Sequence, residues 1–402
     1  MRIVCGQFPL ETSSAIVSLL NSKSEGAKVR CLIVVILACF TTTAQAKDHI
    51  VKAVPGAAQS LINSGRLVGG DRIILQAGYH GRVTIDGQHF KKTVTLTSAK
   101  GQRPRLDHVA LTNSSGWRIT GLTVIPKNTS AGSKTLVRVD QSKDIHFSRL
   151  TVATVTNSAS WSAGQWRALA RDGVRLSGQN LSITNSFVKN IRHGIIASAN
   201  KALVENNFVE NFSGDGIRGL GDNSQYIGNS IKTCVDVDDN HDDGFQSWSV
   251  NAAGKPAKGV VRNVRVERNL IENGNHPTGC TLQGIGLFGG FYEDWIIRDN
   301  TVIVDHWHGI TVMGARRVVI SGNVVVDARP GEPGAPWVAI TPHRDGRVSQ
   351  NSVIKGNVTQ QALRDKGSKF ITPQLGVRRQ GNAVVRNPND ALRRAKRGVG
   401  QQ

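Results

Sequence analysis

Three observations predict an all-β solenoid of stacked parallel coils, a parallel β-helix, for this 402-residue chain. A polar residue, a glycine and a large apolar residue recur as DGV (172–174), HGI (193–195), DGI (215–217), DGF (243–245), QGI (283–285) and HGI (308–310). Asparagine followed two residues later by an apolar side chain recurs at Asn185, Asn207, Asn229, Asn269, Asn300, Asn323 and Asn357, with first intervals of 22 residues. Helical periodicity is nearly absent, and the intervening runs, such as GVRLS, LSITNS and ALVENN, alternate apolar and polar between Gly, Asn, Asp and Ser, as brief strands joined by tight turns do. A unit of about 22 residues cannot close a core alone, so such units must stack and share one.

At the N-terminus, Lys28 and Arg30 precede the apolar run CLIVVILACF (31–40) and the stretch TTTAQA, which reads as an export signal over residues 1–46 cleaved after Ala46. The run is shorter than the roughly 20 apolar residues a membrane span needs, and no later run approaches that length, so no transmembrane segment is expected after cleavage. Residues 1–27 precede the usual charged start of a signal and are read as an extension or a misassigned start. The whole chain carries a net charge of +21; removing 1–46 takes away four Lys/Arg and two Asp/Glu and leaves +19. In an exported protein that charge points to an acidic polysaccharide or an anionic envelope surface rather than nucleic acid. A periplasmic or secreted monomer is expected.

The solenoid is expected over 47–375, followed by a basic tail at 376–402, whose VRRQ, VRNP and LRRAKRG segments read as an end cap and a mobile, solvated stretch. Within the solenoid the repeat is broken twice at one turn. From asparagine to the next repeat glycine the interval is 9 residues in three coils, but 15 from Asn229 to Gly244 and 15 from Asn269 to Gly284. Cys234 lies in the first extension and Cys280 in the second. These are the two cysteines left after cleavage, and neighbouring coils lie about 4.8 Å apart, so a disulfide between them is expected. A further insertion, SVNAAGKPAKG (249–259), follows the Gly244 strand. The acidic run DVDDNHDDG (236–244) therefore stands at the mouth of one strand column.

Aligning the glycine strands puts Val174, Ile195, Ile217, Phe245, Ile285 and Ile310 inside. The next outward row is then Arg175, Ile196, Arg218, Gln246, Gly286 and Thr311, and the following one Ser177, Ser198, Leu220, Trp248, Phe288 and Met313. Trp248 and Phe288 on adjacent coils are expected to form an aromatic platform for sugar rings. Asp172, His193, Asp215, Asp243, Gln283 and His308 form a polar column at the turn.

The repeats, together with the opening coil GRLVGGDRIILQAGYHGRVTI (65–85), resemble the right-handed parallel β-helix superfamily of pectate lyases, polygalacturonases, alginate lyases and mannuronan C5-epimerases. The resemblance covers roughly residues 50–360 and implies an enzyme acting on an acidic polysaccharide. Mannuronan epimerases carry a histidine in an acidic motif read roughly as DPHD; DNHDD (239–243) is similar at Asp239, His241 and Asp242, with Asn240 in place of proline. A lyase or epimerase must neutralise the uronate carboxylate and remove the C5 proton. His241 is the expected base, Arg218 the carboxylate clamp, with Asp242 and His308 as further catalytic candidates. Arg175, Arg192, Gln246, Trp248 and Phe288 are expected to bind substrate, and Asp236, Asp238, Asp239 and Asp243 to hold Ca²⁺, an oxygen-seeking cation. The alternatives are a hydrolase of polygalacturonase type using paired aspartates, and a non-catalytic binding or scaffold solenoid such as an adhesin, tail fibre or export protein.

Overall fold

Coil upon coil, the computed structural model winds the chain into a right-handed parallel β-helix, with every named strand pair parallel. The structure describes residues 45–129, 134–329, 333–360 and 376–399; the expected export signal lies almost wholly outside them. Among the described residues no helix is long and apolar enough to cross a membrane.

Three inward rows build the core, because one residue of each short strand lands on the same axial column. On the first face the register runs Val109, Val137, Val174, Ile195, Ile217, Phe245, Ile285, Ile310, Val338, as the glycine alignment predicts for its central members. The second face stacks Phe147, Ile183, Val204, Tyr226, Val266, Ile297, Ile320 and Ile354. The third stacks Leu106, Val124, Val152, Val188, Val209, Ile231, Ile271, Val302 and Val325. These side chains are all but sealed from solvent and form one continuous cluster. Burial at about 1.5–3 kcal/mol per large side chain supplies the driving force that a single coil lacks.

The repeat glycines are required by close approach. A Cβ on Gly194 would lie 2.2 Å from the carbonyl of Gly216 on the next coil and 2.6 Å from Val209 of the third face; Gly284 would meet Gly309 and Val302 at 2.1 and 2.5 Å.

The recurring asparagines form a hydrogen-bonded ladder, with Asn185 out of phase. From Asn207 onward each buried amide donates both its backbone and a side-chain N–H to the side-chain oxygen of the next member, through Asn229, Asn269, Asn300, Asn323, Asn357 and Asn382. Asn185 is not in it: Ser186 occupies the ladder position, its amide donating to Asn207 Oδ1 at 3.1 Å. The left-handed backbone angle belongs to the residue before each rung, at Asn185, Asn206, Gly228, Arg268, Asp299 and Gly322.

Both extended turns depart from the solenoid and are tied together, with Cys234 disulfide-bonded to Cys280 at a Cα separation of 5.5 Å. A helix at Ala163–Leu169, closed by a capping box at Ser162, packs buried Trp166 against Val235 and Val237. The insertion after Trp248 leads into a small third sheet of Val260–Arg262, Phe291–Glu293 and Ala315–Arg316. The solenoid runs past residue 375: Val377–Gln380 pairs with Ser352–Lys355, and Ala383–Val384 with Val358–Thr359. The expected mobile stretch contains a helix, Pro388–Val399, whose Ala391 and Leu392 pack on Val324 and Val326.

Candidate functional site

A pocket of about 420 Å³ opens where the two extended turns meet the first face, lined among others by His241, Gln246, Trp248, Phe288, His308 and Arg344. Its position follows from the column at the turn. Asp172, Asp215, Asp243 and His308 each reach forward three residues to an outward partner: Arg175 to Asp172 at 3.4 Å, Arg218 to Asp215, Gln246 to Asp243 at 2.6 Å, and His308 with Thr311 at 2.9 Å.

His241 stands at the mouth, its side chain 65 % exposed, with Nδ1 3.7 Å from Asp243 Oδ2. The carboxylate holds the imidazole's pKa above its ordinary value, and Nε2 is left for a ligand. Asp243 is wholly buried, and burial pushes it up to about 7, with the stacked Asp215 carboxyl pushing the same way. Oδ1 of Asp243 has no hydrogen-bond partner. It lies over Gly286, where a Cβ would meet it at 2.5 Å and the Phe288 ring at 2.3 Å. Glycine at 286 thus makes room for both. At 3.7 Å the two form an ion pair without a hydrogen bond, so the buried carboxylate stabilises the imidazolium that forms on proton uptake by charge.

His308 is a neutral ring. Burial drives its pKa down to about 3, Thr311 engages Nδ1, and Phe288, His306 and Trp337 surround it with centroids at 4.9, 5.1 and 5.3 Å. Trp307 stacks on Trp337 at 6.2 Å, extending an aromatic wall on the C-terminal side.

Several expected residues take other places. Arg218 is committed to buried Asp215 and lies over the Trp248 ring at 4.9 Å, so it props Trp248 from behind instead of clamping a substrate carboxylate. The guanidinium that lines the pocket is Arg344, exposed and paired with no carboxylate among the described residues. It comes from a loop outside the repeat, and sequence reasoning missed it along with Trp337. Asp242 turns inward beside the disulfide, its oxygen within 4.8 Å of both sulfurs, and burial pushes it up to about 8. It does not line the pocket. Trp248 and Phe288 both line it, but a bulge after Ser247 pairs Trp248 with Gly289 and shifts Phe288 out of the expected row. Gln246 is there, spanning to Asp243. Arg175 is paired with Asp172, and Arg192 lines a separate pocket nearer the N-terminus.

The expected calcium ligands do not converge. Asp236, Asp238 and Asp239 are exposed on the loop, where Val235 and Val237 alternate with them and point in, while Asp243 is sealed beneath His241. Among the described residues the one group of three metal-ligand types within 4.8 Å is Cys234, Asp242 and Cys280, whose sulfurs are joined to each other. This donor set does not fit Ca²⁺, which takes six to eight oxygens.

A sequence model described as "Right handed beta helix region" matches residues 172–359. No curated protein sequence matches the chain. Among solved structures it is similar to the Dettilon tailspike protein, at 12 % identity and a TM-score of 0.52, covering 77 % of this chain and 62 % of that one, so that the chain spans less than two thirds of the tailspike's length. It also matches a mannuronic acid specific polysaccharide family 6 lyase from human gut microbiota (12 % identity, TM-score 0.40, 85 % and 82 % covered) and a mannuronan C-5 epimerase module of Azotobacter vinelandii (15 %, 0.47, 85 % and 100 %). At 12 % identity the likeness to the tailspike is one of fold.

Proposed function

We propose that the protein is an exported enzyme that acts on an acidic, uronate-containing polysaccharide at the His241 pocket, by β-elimination or C5 epimerisation. The observation that carries the reading is the conjunction at one mouth of a carboxylate-backed imidazole, an unpaired guanidinium and aromatic rings. Trp248 and Phe288 offer apolar faces to sugar rings, and Arg344 offers two parallel N–H donors to a uronate carboxylate. With that carboxylate neutralised, the C5 proton becomes acidic enough for His241 Nε2 to remove, and the C5–H electrons pass into an enolate held by Arg344. Expulsion of the C4 oxygen, protonated by the His241 imidazolium or by water, then leaves a C4=C5 double bond; reprotonation of C5 by water from the opposite face inverts it instead, with His241 returning its proton to solvent. A paired-aspartate hydrolase is disfavoured because Asp215, Asp242 and Asp243 are buried and none lines the pocket. Export rests on the sequence of residues 1–46 and on the disulfide.

The test is incubation of the purified protein with a panel of uronate polymers, following ultraviolet absorbance of unsaturated product and exchange of the C5 proton with heavy water. Either signal supports the reading and says which branch operates. Silence in both across the panel, with tight binding retained, would make the molecule a binding solenoid.

A further inference from the structure

Two more pockets, of about 500 and 490 Å³, lie on the N-terminal side of the His241 site and share one wall, Arg171. The larger is bordered by Asp172, Arg192 and Ser213, at the same turn column that continues through Asp215 to Asp243, so it sits on the same edge of the solenoid as His241. The other is bordered by Arg82 and His108, on the coils before Val137. Together they gather Arg82, Lys127, Lys134, Arg167, Arg171 and Arg192. Of these, Arg82, Lys127, Lys134 and Arg192 are exposed and pair with no carboxylate among the described residues, while Arg167 donates to the Val237 carbonyl. The nearby carboxylates are fewer and partly engaged: Asp107 accepts from the Tyr79 hydroxyl and the Lys127 amide, Asp172 from Arg175, and Asp238 is exposed. Where arginines crowd elsewhere on the solenoid each reaches a carboxylate, Arg265, Arg268 and Arg298 sharing Glu267, and Arg262 and Arg316 sharing Glu293.

We infer that the row formed by Arg82, Lys127, Lys134 and Arg192 is a binding track for the non-reacting part of a polyanionic carbohydrate chain, whose reacting unit lies in the His241 pocket. The inference rests on the proposed function for the identity of the chain. Register steps from Val109 through Val137, Val174, Ile195, Ile217, Phe245 and Ile285 to Ile310 place the ends of the track and pocket roughly 34 Å apart, at about 4.8 Å per coil. Arg82, Lys134 and Arg192 stand on alternate coils, about 9.6 Å apart, a spacing that a linear polymer with charge on each unit meets at every second unit. Single-stranded nucleic acid is the weaker fit, because it requires rings open to stacking. Along the track Lys127 covers Tyr79 at 5.5 Å, and Trp166 is buried.

The experiment uses the His241→Ala protein, so that binding is read without turnover, and titrates it calorimetrically with polyuronate oligomers of graded length at low and moderate salt. Affinity is expected to rise with length until the oligomer spans the track, and to fall with salt. The triple variant Lys127→Ala/Lys134→Ala/Arg192→Ala, all exposed positions, is expected to lose that length-dependent gain, on the order of tenfold, while short oligomers bind as before. Equal affinity for short and long oligomers, a triple variant that keeps the gain, or single-stranded DNA of equal charge competing on equal terms would each overturn the track. Failure of the wild-type protein to turn over any uronate polymer would instead refute the proposed function, which the binding series does not test.

Discussion

Replacing Asn269 by alanine tests whether the buried ladder holds the coils together. Its Oδ1 accepts from the Asn229 amide at 2.9 Å and from Asn229 Nδ2 at 3.0 Å, and its own Nδ2 donates to Tyr226 O and to Asn300 Oδ1, both at 2.9 Å. Asn269→Ala leaves two donors of Asn229 without a partner in a place water does not reach. At about 1–3 kcal/mol for each orphaned group, the expected loss is about 2–6 kcal/mol. Asn200→Ala is the internal control, since Asn200 accepts one exposed bond from Asn223 at 2.9 Å that water replaces, and it should cost less than about 0.5 kcal/mol. Asn269→Asp turns a donor into an acceptor facing two oxygens, and burial raises the new carboxyl's pKa. The folded state then binds the proton more tightly than the unfolded state, so the penalty grows as pH rises above about 3.9 and shrinks as pH falls back towards it. Urea unfolding followed by circular dichroism, at neutral pH and near pH 4, measures all three. If Asn269→Ala lies within about 0.5 kcal/mol of the parent, or Asn269→Asp shows no recovery in acid, the ladder is not the stabilising element argued here.

Gly286→Ala should cost about 1–3 kcal/mol by overpacking and depress turnover more than substrate binding, because the new methyl group displaces the Asp243 carboxyl and the Phe288 ring together; stability and steady-state kinetics check it. Cys234→Ser/Cys280→Ser should lose about 2–4 kcal/mol and free the loop that carries His241, which hydrogen exchange of the extended turns would register. Turnover that needs neutral His241 should rise with pH through a pKa above the ordinary imidazole value. Asp243→Asn, which removes the charge holding that pKa up, should move this limb to lower pH; a limb that stays put would separate His241 from it.

Most of the fold is legible in the sequence because a solenoid repeats its constraints. The glycine before each inward residue is dictated by contact with the next coil, so the first-face register from Val174 to Ile310 can be aligned by eye. The ladder is legible for the same reason from Asn207 onward, but serine serves at 186, and the adjacent left-handed Asn185 mimics a rung. The site is less legible because it is built from departures. A bulge after Ser247 leaves no mark in the spacing, so Phe288 drifts from its expected row. Charge density suggested a cation at the acidic run, yet the valines between the aspartates determine which way they point, and they anchor the loop on Trp166. Arg344 belongs to no repeat and reaches the pocket only through the fold.

Whether His241 removes the C5 proton is read most directly from the rate of uronate-polymer turnover by the wild-type protein and by His241→Ala, measured side by side with their urea midpoints. His241 is exposed at the pocket mouth, so the substitution should leave the midpoint unchanged. A fall in turnover of about 10²–10⁴-fold is expected, the usual worth of a positioned proton-transfer group. Wild-type rates in a variant whose midpoint is also unchanged would contradict it.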